Sequence, residues 1–282
     1  MSERIVKLGV LKVGCVGSAP LIEFLLDERA ERNDIETRVV GSGASMVKKR
    51  CEEAANVLVS YKPDLAIVVS PNATVPGPTA AREVLAKNNI PTIIVSDSPV
   101  KKIVKDLEAA GFGYIIPEAD SMIGARREFL DPVEMALFNS DVIKVLAITG
   151  VFPLIITSID NVIHALKRGE KPELPRLIVN KEKSIAASGL QNPYARAKAT
   201  AAYEISQRVA GLTSEGCFVI QEWENYIALV AAAHEMMRVA AKLADEAREI
   251  EKGGDAVKRN PHAKDGTRLT KQRLIEKPAK PE

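Results

Sequence analysis

The chain has 282 residues, 46% of them hydrophobic and 27% charged, enough to bury a sizeable core as one large domain or two smaller ones. A net charge of +2 spread along the sequence, with only 4% aromatic residues, speaks against a nucleic-acid partner, whose surface needs clustered cations and stacking rings. No apolar run reaches the roughly 18–20 residues that span a bilayer, and MSERIVKLG lacks the pattern of a signal peptide, so the expectation is a soluble, cytoplasmic protein with no membrane partner.

The first 117 residues repeat one rhythm. The β-branched runs IVKLGVL, TRVVG, DLAIVVS, TIIVS and YIIP alternate with helical stretches at 21–30, 47–60, 79–88 and 100–110. Several runs are apolar at consecutive positions, as strands covered on both faces should be. The pattern predicts an α/β domain over 1–120, a parallel, doubly wound (Rossmann-like) sheet that binds ligands at the carboxyl ends of its strands. From residue 121 the pattern turns to long helices: two within 133–166, broken near Gly150 to Pro153, one at 194–210 and one at 224–252. In the last, Leu229, Ala233, Met236, Ala240, Leu243, Ala247 and Ile250 recur in steps of four and three, an Ala-rich seam suited to a bundle core or a subunit interface. Residues 121–252 are therefore expected to be a helical bundle carrying the substrate cleft and the oligomer contacts. Residues 253–282 read as a polar tail or small β-excursion whose basic run is a solvated face.

The turn Gly14-Cys15-Val16-Gly17-Ser18 stands where a strand gives way to a helix. Its glycines allow backbone approach to a ligand, or simply close strand-to-helix packing. It is not a nicotinamide fingerprint, because the second strand ends in Val39-Val40-Gly41-Ser42-Gly43 with no acid for the ribose, and no GxxxxGK[ST] loop occurs. Two more strand ends, Ser70-Pro71-Asn72 and Ser96-Asp97-Ser98-Pro99, hold small polar groups stiffened by proline and make a crevice floor for a flat, polar ligand. The block from Glu118 to Glu134 is dense in charge where sheet hands over to helices, as a cleft lining or a solvated hinge would be. His164, His234 and His262 are scattered, and Cys15, Cys51 and Cys217 form no CxxC pair, so the sequence supports no metal site, disulfide framework or Ser-His-Asp set. Trp223 reads as a helix start.

These residues carry a resemblance. LLDERAER, VVGSGA, PNATVPGP, GFGYIIPEAD, MIGARREFLDPVEMALFNSDVIKVLA, QNPYARAKATAAYEI, EGCF, AHEMM and LADEAREIEK are similar, over essentially the full length, to the coenzyme F420-dependent methylenetetrahydromethanopterin dehydrogenases of methanogenic and related archaea. Two departures fall in expected cofactor loops: Cys15 and Ser18 replace the family's usual Asn and Thr, and Ser96-Asp97-Ser98-Pro99-Val100 replaces Gly-Asp-Ala-Pro-Gly. The resemblance implies reversible hydride transfer between methylenetetrahydromethanopterin (or the sarcinapterin variant) and the deazaflavin F420, an 8-hydroxy-5-deazaflavin acting as a dissociable cosubstrate, with no metal and a homohexameric assembly. It places the cofactor against Lys12, Gly14, Val16, Gly17, Ser18, Ser70, Pro71, Asn72, Asp97, Ser98 and Pro99, with Lys101 and Lys102 near its anionic tail. It places the pterin against Asp120, Arg126, Arg127, Glu128, Asp131 and Glu134. No acid or base is expected at the reacting carbon; Asp120, Asp131 and Glu134 are expected to stabilise the cationic product electrostatically. A nicotinamide-dependent oxidoreductase and a non-catalytic α/β binding module are the alternatives.

Overall fold

The computed structural model describes residues 4–27 and 32–281; the last three residues of the helix expected at 21–30 fall outside this range. Six strands form one parallel sheet in the order β2-β1-β3-β4-β5-β6: β1 (Val6–Lys12), β2 (Ile35–Gly41), β3 (Leu65–Ser70), β4 (Thr92–Ser96), β5 (Gly113–Pro117) and β6 (Arg176–Val179). The two-residue side-chain period sorts each central strand between two cores. Val6, Leu8 and Val10 of β1 and Leu65, Ile67 and Val69 of β3 enter one core; Leu11, Ala66 and Val68 enter the other. That is why these strands read as unbroken apolar runs, whereas β2, at the edge, alternates between half-buried and exposed positions.

One face is covered by α2 (Lys48–Ser60), α3 (Pro76–Lys87) and α4 (Val104–Ala109), the last preceded by a 3-10 turn at Ser98–Ile103. The other carries α1 (Ser18–Leu26), α5 (Pro132–Ile148) and α6 (Val151–Lys167), with α7 (Lys181–Ala187), α8 (Pro193–Phe218) and α9 (Trp223–Gly253) beyond. A single apolar core runs from β1, β3, β4 and β5 through α1, α5 and α6 to Tyr203 of α8 and Met237 of α9. Among the described residues no single helix is long and apolar enough to cross a membrane; α5 and α6 together reach that composition only across a 70° bend. The break falls at Gly150, as expected. Its φ is +100°, and a Cβ there would lie 1.9 Å from the Ser184 carbonyl oxygen, so only glycine fits.

Two expectations need correction, and a third, the choice between a tail and a small β-excursion at the carboxyl end, resolves to the excursion. The stretch 121–252 is not wholly helical, because residues 176–179 return to the sheet as β6. The seam of α9 holds at Ala233, Ala240 and Ala247, which are buried as expected, but it continues through Tyr226, Val230, Met237 and Ala244, so Leu229, Met236, Leu243 and Ile250 flank the contact line and are only partly buried. Alanine occupies the line because α8 brings Ala195, Ala199 and Ala202 to it, and small side chains let the two helices approach closely. Finally, 253–281 is a docked excursion with antiparallel bridges such as His262 to Arg268, anchored by buried His262, whose Nε2 lies 2.9 Å from Asp160 Oδ2 on α6.

Candidate active site

The strand order reverses between β1 and β3, and there, at the carboxyl edge, the crossovers leave to opposite faces and open a crevice. A cleft of about 270 Å³ occupies it. Its floor is Gly14, Cys15, Pro71 and Asn72, with Met46 and Val75 beside them. Residues 122–126, the coil that follows β5, and the α8 end at Cys217 and Phe218 form the opposite wall. Gly14 is held at φ +84°, and a Cβ on it would stand 2.9 Å from the Pro71 ring, so the turn and the following strand end meet only because one is glycine. Asn72 is fixed in turn, its Oδ1 accepting from Thr74 N and Oγ1 at 3.0 and 2.6 Å. A larger depression, about 680 Å³, lies at the opposite edge near the starts of β4, β5 and β6, away from the reversal in strand order.

The second half of the glycine turn serves another purpose. Asp120 is fully buried, and its two oxygens accept from the backbone N–H groups of Gly17 and Ser18 at 2.8 and 2.9 Å, while Ala19 N donates to Val16 O. The amino end of α1 is thus closed by a carboxylate of the same chain and has no N–H left for an external anion. Gly17 is glycine for packing: a Cβ would lie 2.4 Å from Val142 of α5 and 2.8 Å from Asp120 Oδ1. Val16 and Ser18 are buried, and Lys12 pairs with Glu23 at 2.7 Å.

The β4 end is closed in the same way. Asp97 is buried and caps the 3-10 turn through Ser98 N, with Pro99 in the turn itself, and Lys101 pairs with Glu118; Lys102 is exposed. The Ser96 hydroxyl accepts from Ala73 N at 3.0 Å, tying the β3 and β4 ends together beside buried Ser70. Burial pushes the Asp120 carboxyl up to about 6, against the pull of the two N–H groups. It pushes Asp97 up to about 7, with the charge of Asp120 adding to the rise and the Ser98 N–H opposing it. Burial also raises the Cys15 thiol, so it is held in the neutral form at the cleft floor.

The charged block divides likewise. Arg126 lines the cleft, yet its guanidinium is turned onto the carboxyl end of α8: Nε donates to Gly216 O at 2.9 Å and Nη2 to Cys217 O and Ile220 O at 2.9 and 3.2 Å. It also stacks 4.1 Å over the Tyr226 ring. Arg127 and Glu128 are exposed and pair with each other at 3.7 Å. Asp131 caps α5, accepting from Glu134 N at 2.7 Å, and Glu134 Oε1 lies 2.7 Å from His234 Nδ1. Of the residues expected at the ligands, Gly14, Pro71, Asn72 and Arg126 line the cleft. Lys12, Val16, Gly17, Ser18, Ser70, Asp97, Ser98, Pro99, Asp120, Arg127, Glu128, Asp131 and Glu134 do not. Met46, Met122, Ile123 and Phe218 line it without having been singled out. They carry no chemical signature in sequence, since an apolar wall reads like core.

Comparison with known proteins decides the lineage. A model of the methylene-5,6,7,8-tetrahydromethanopterin dehydrogenase family matches residues 6–279. The chain belongs to this family. The F420-dependent methylenetetrahydromethanopterin dehydrogenase of Archaeoglobus fulgidus is 58% identical over 276 residues, which covers 97% of this chain and 99% of that one. The enzyme of the same description from Methanocaldococcus jannaschii is 50% identical with the same coverage. A solved F420-dependent methylene-tetrahydromethanopterin dehydrogenase, in complex with methylene-tetrahydromethanopterin and coenzyme F420, superposes with a TM-score of 0.94 at 45% identity, covering 97% of this chain and 99% of that one.

Proposed function

We propose that this protein is an oxidoreductase moving a hydride reversibly between N5,N10-methylenetetrahydromethanopterin and coenzyme F420 in archaeal one-carbon metabolism. The observation that carries the reading is the match, along 97% of the chain, to a structure captured with both of those molecules. The coenzyme supplies the chemistry, its deazaflavin ring taking the hydride with a proton from solvent as the methylene group becomes the methenyl cation.

The residues present fit such a group on an observation of their own. At the β1/β3 reversal the positive-φ Gly14 leaves the backbone bare beside Pro71, and the surrounding surface is mostly apolar, as the face of a flat ring requires. The protein's part is to orient two ring systems and exclude water, so the absence of a histidine or reactive thiolate on the cleft wall is consistent with the task. The anionic tail of the coenzyme is met by something other than the α1 amino end, which Asp120 fills; exposed Lys102 is the available cation of the set. Within the charged block, Asp131 is exposed at the start of α5 outside the cleft lining, and the role proposed for its carboxylate is long-range stabilisation of a cationic product. Exposed apolar side chains, among them Val133, Leu137, Phe218 and Trp223, suit a homo-oligomer, hexameric by resemblance, working in the cytoplasm.

The test is anaerobic oxidation of methylenetetrahydromethanopterin with F420 or NADP offered separately, followed by the loss of deazaflavin absorbance. Turnover with F420 and almost none with NADP is expected; comparable turnover with the nicotinamide overturns the proposal.

A further inference from the structure

The coil 121–126, whose residues 122–126 form the wall, has no regular secondary structure to hold it, and its own backbone bonding is as local as Arg126 N to Gly124 O. Side-chain hydrogen bonds to the helices hold it instead. One anchor is Arg126 on the α8 end; the other is His234 of α9, only 4% exposed, whose Nε2 lies 2.8 Å from the carbonyl oxygen of Ile123. A carbonyl only accepts, so Nε2 carries a hydrogen. Nδ1 faces Glu134 Oε1 at 2.7 Å, a distance that two lone pairs do not tolerate, so a second proton lies between ring and carboxyl. Wherever that proton sits, the pair is net neutral. The ring can therefore be buried without an uncompensated charge, and Glu134 does not act as a bare anion toward the cleft. Phe138 stacks on the imidazole at 4.2 Å and Phe129 meets it edge-on at 4.9 Å, fixing its plane.

We propose that His234 is the positioning residue for the cleft: bridging Glu134 and the Ile123 carbonyl, it sets where the 121–126 wall stands and so the fit of the ring bound against Gly14. An apolar residue in its place strands a buried carbonyl, and a residue with one donor loses the link from the wall to α5. The proposal rests on the cleft being the hydride-transfer site.

His234→Leu fills much of the same space between the two phenylalanines without donating. In the full-length protein, hydrogen exchange read by mass spectrometry is expected to show the amides of 121–126 exchanging about tenfold faster, with α8 and α9 keeping their protection. Steady-state kinetics are expected to show a KM about tenfold higher for F420 or for the pterin, with kcat within about twofold. The exchange result tests His234 whether or not the cleft is the active site, so a failure of the functional reading shows only in the kinetics. Unchanged exchange and KM in folded His234→Leu overturn the proposal, as does a rise spread evenly over α5, α8 and α9. If that variant does not fold, Glu134→Gln leaves the ring in place but replaces a charge-assisted bond by a neutral one about half as strong. A local rise of about threefold in exchange then supports the positioning role, and wild-type exchange overturns it.

Discussion

The β1 and β3 ends and the β4 and β5 ends stand side by side on one rim of the sheet, yet they use their polar residues in opposite ways. At β4 and β5 the carboxylates of Asp97 and Asp120 turn inward and are consumed by N–H groups of the same chain. At β1 and β3 the backbone is left bare by Gly14 and the cleft opens. Polarity at a strand end does not by itself mark a site. Along this rim the cleft opens where a glycine leaves the backbone without a side chain, and not where the carboxylates lie.

The contrast is most easily broken at Gly17. Valine there must enter space held by Val142 and displace Asp120, so Gly17→Val is expected to lose at least about 3 kcal/mol, close to loss of the fold. Thermal unfolding checks this; a folded variant of wild-type stability would return Gly17 to the ligand side of the rim. Next in size is a pH effect. Asp97 and Asp120 hold their protons more tightly folded than unfolded, so the stability they contribute is full below about pH 4. It is lost as the pH rises through about 6 for Asp120 and about 7 for Asp97. Asp97→Asn keeps an acceptor for Ser98 N and removes that group's share, so between pH 4 and 7 the variant should lose less stability than wild type, by on the order of 2–3 kcal/mol. Denaturant unfolding across that range gives the answer, and parallel curves would show Asp97 to be ionised and well solvated.

On the open half of the rim, Gly14→Ala places a side chain at positive φ and against Pro71, at a cost of about 1–2 kcal/mol. The fold should survive while the dissociation constant of F420, read by fluorescence titration, rises about tenfold, equivalent to about 1.4 kcal/mol. Normal affinity would move the ring elsewhere on the rim. The smallest stability effect belongs to Asp131→Asn. Asparagine caps a helix as well as aspartate does, so stability should stay within about 0.5 kcal/mol. A fall of about tenfold in turnover, modest because solvent screens an exposed charge, then reports the carboxylate acting on the cationic product. Wild-type turnover would leave it a cap alone.

Much of the sheet was legible because burial on both faces writes itself as consecutive β-branched residues. Strand β6 was not: RLIV is four residues long, sits at an edge after KPELP, and is a strand only because β5 offers it a partner. The helices α8 and α9 are legible by period, and Ala233, Ala240 and Ala247 mark the contact line of α9, but the leucines and methionine at the same spacing flank it because alanine makes the close contact. At the site, glycine and proline gave the floor its location. The destinations of Asp120, Arg126 and Glu134 were hidden because each depends on a partner far along the chain: Gly17 lies 103 positions from Asp120, and His234 lies 100 from Glu134. Sequence shows that a charge is present; only the fold shows what neutralises it.

Strand β6 also governs what happens while the chain is being made. Ile115 of β5 lies opposite Leu177, so that row of hydrogen bonds stays open until α5 and α6 have been synthesised and the chain has returned to the sheet. A nascent chain that has emerged only to residue 120 presents β5, five buried residues with an unpaired edge, to whatever other strand it meets. During that interval the hazard is intermolecular pairing. The four residues of β6 act as its cover strip, so an isolated fragment ending at residue 120 is expected to aggregate on expression even though it carries five of the six strands of the sheet.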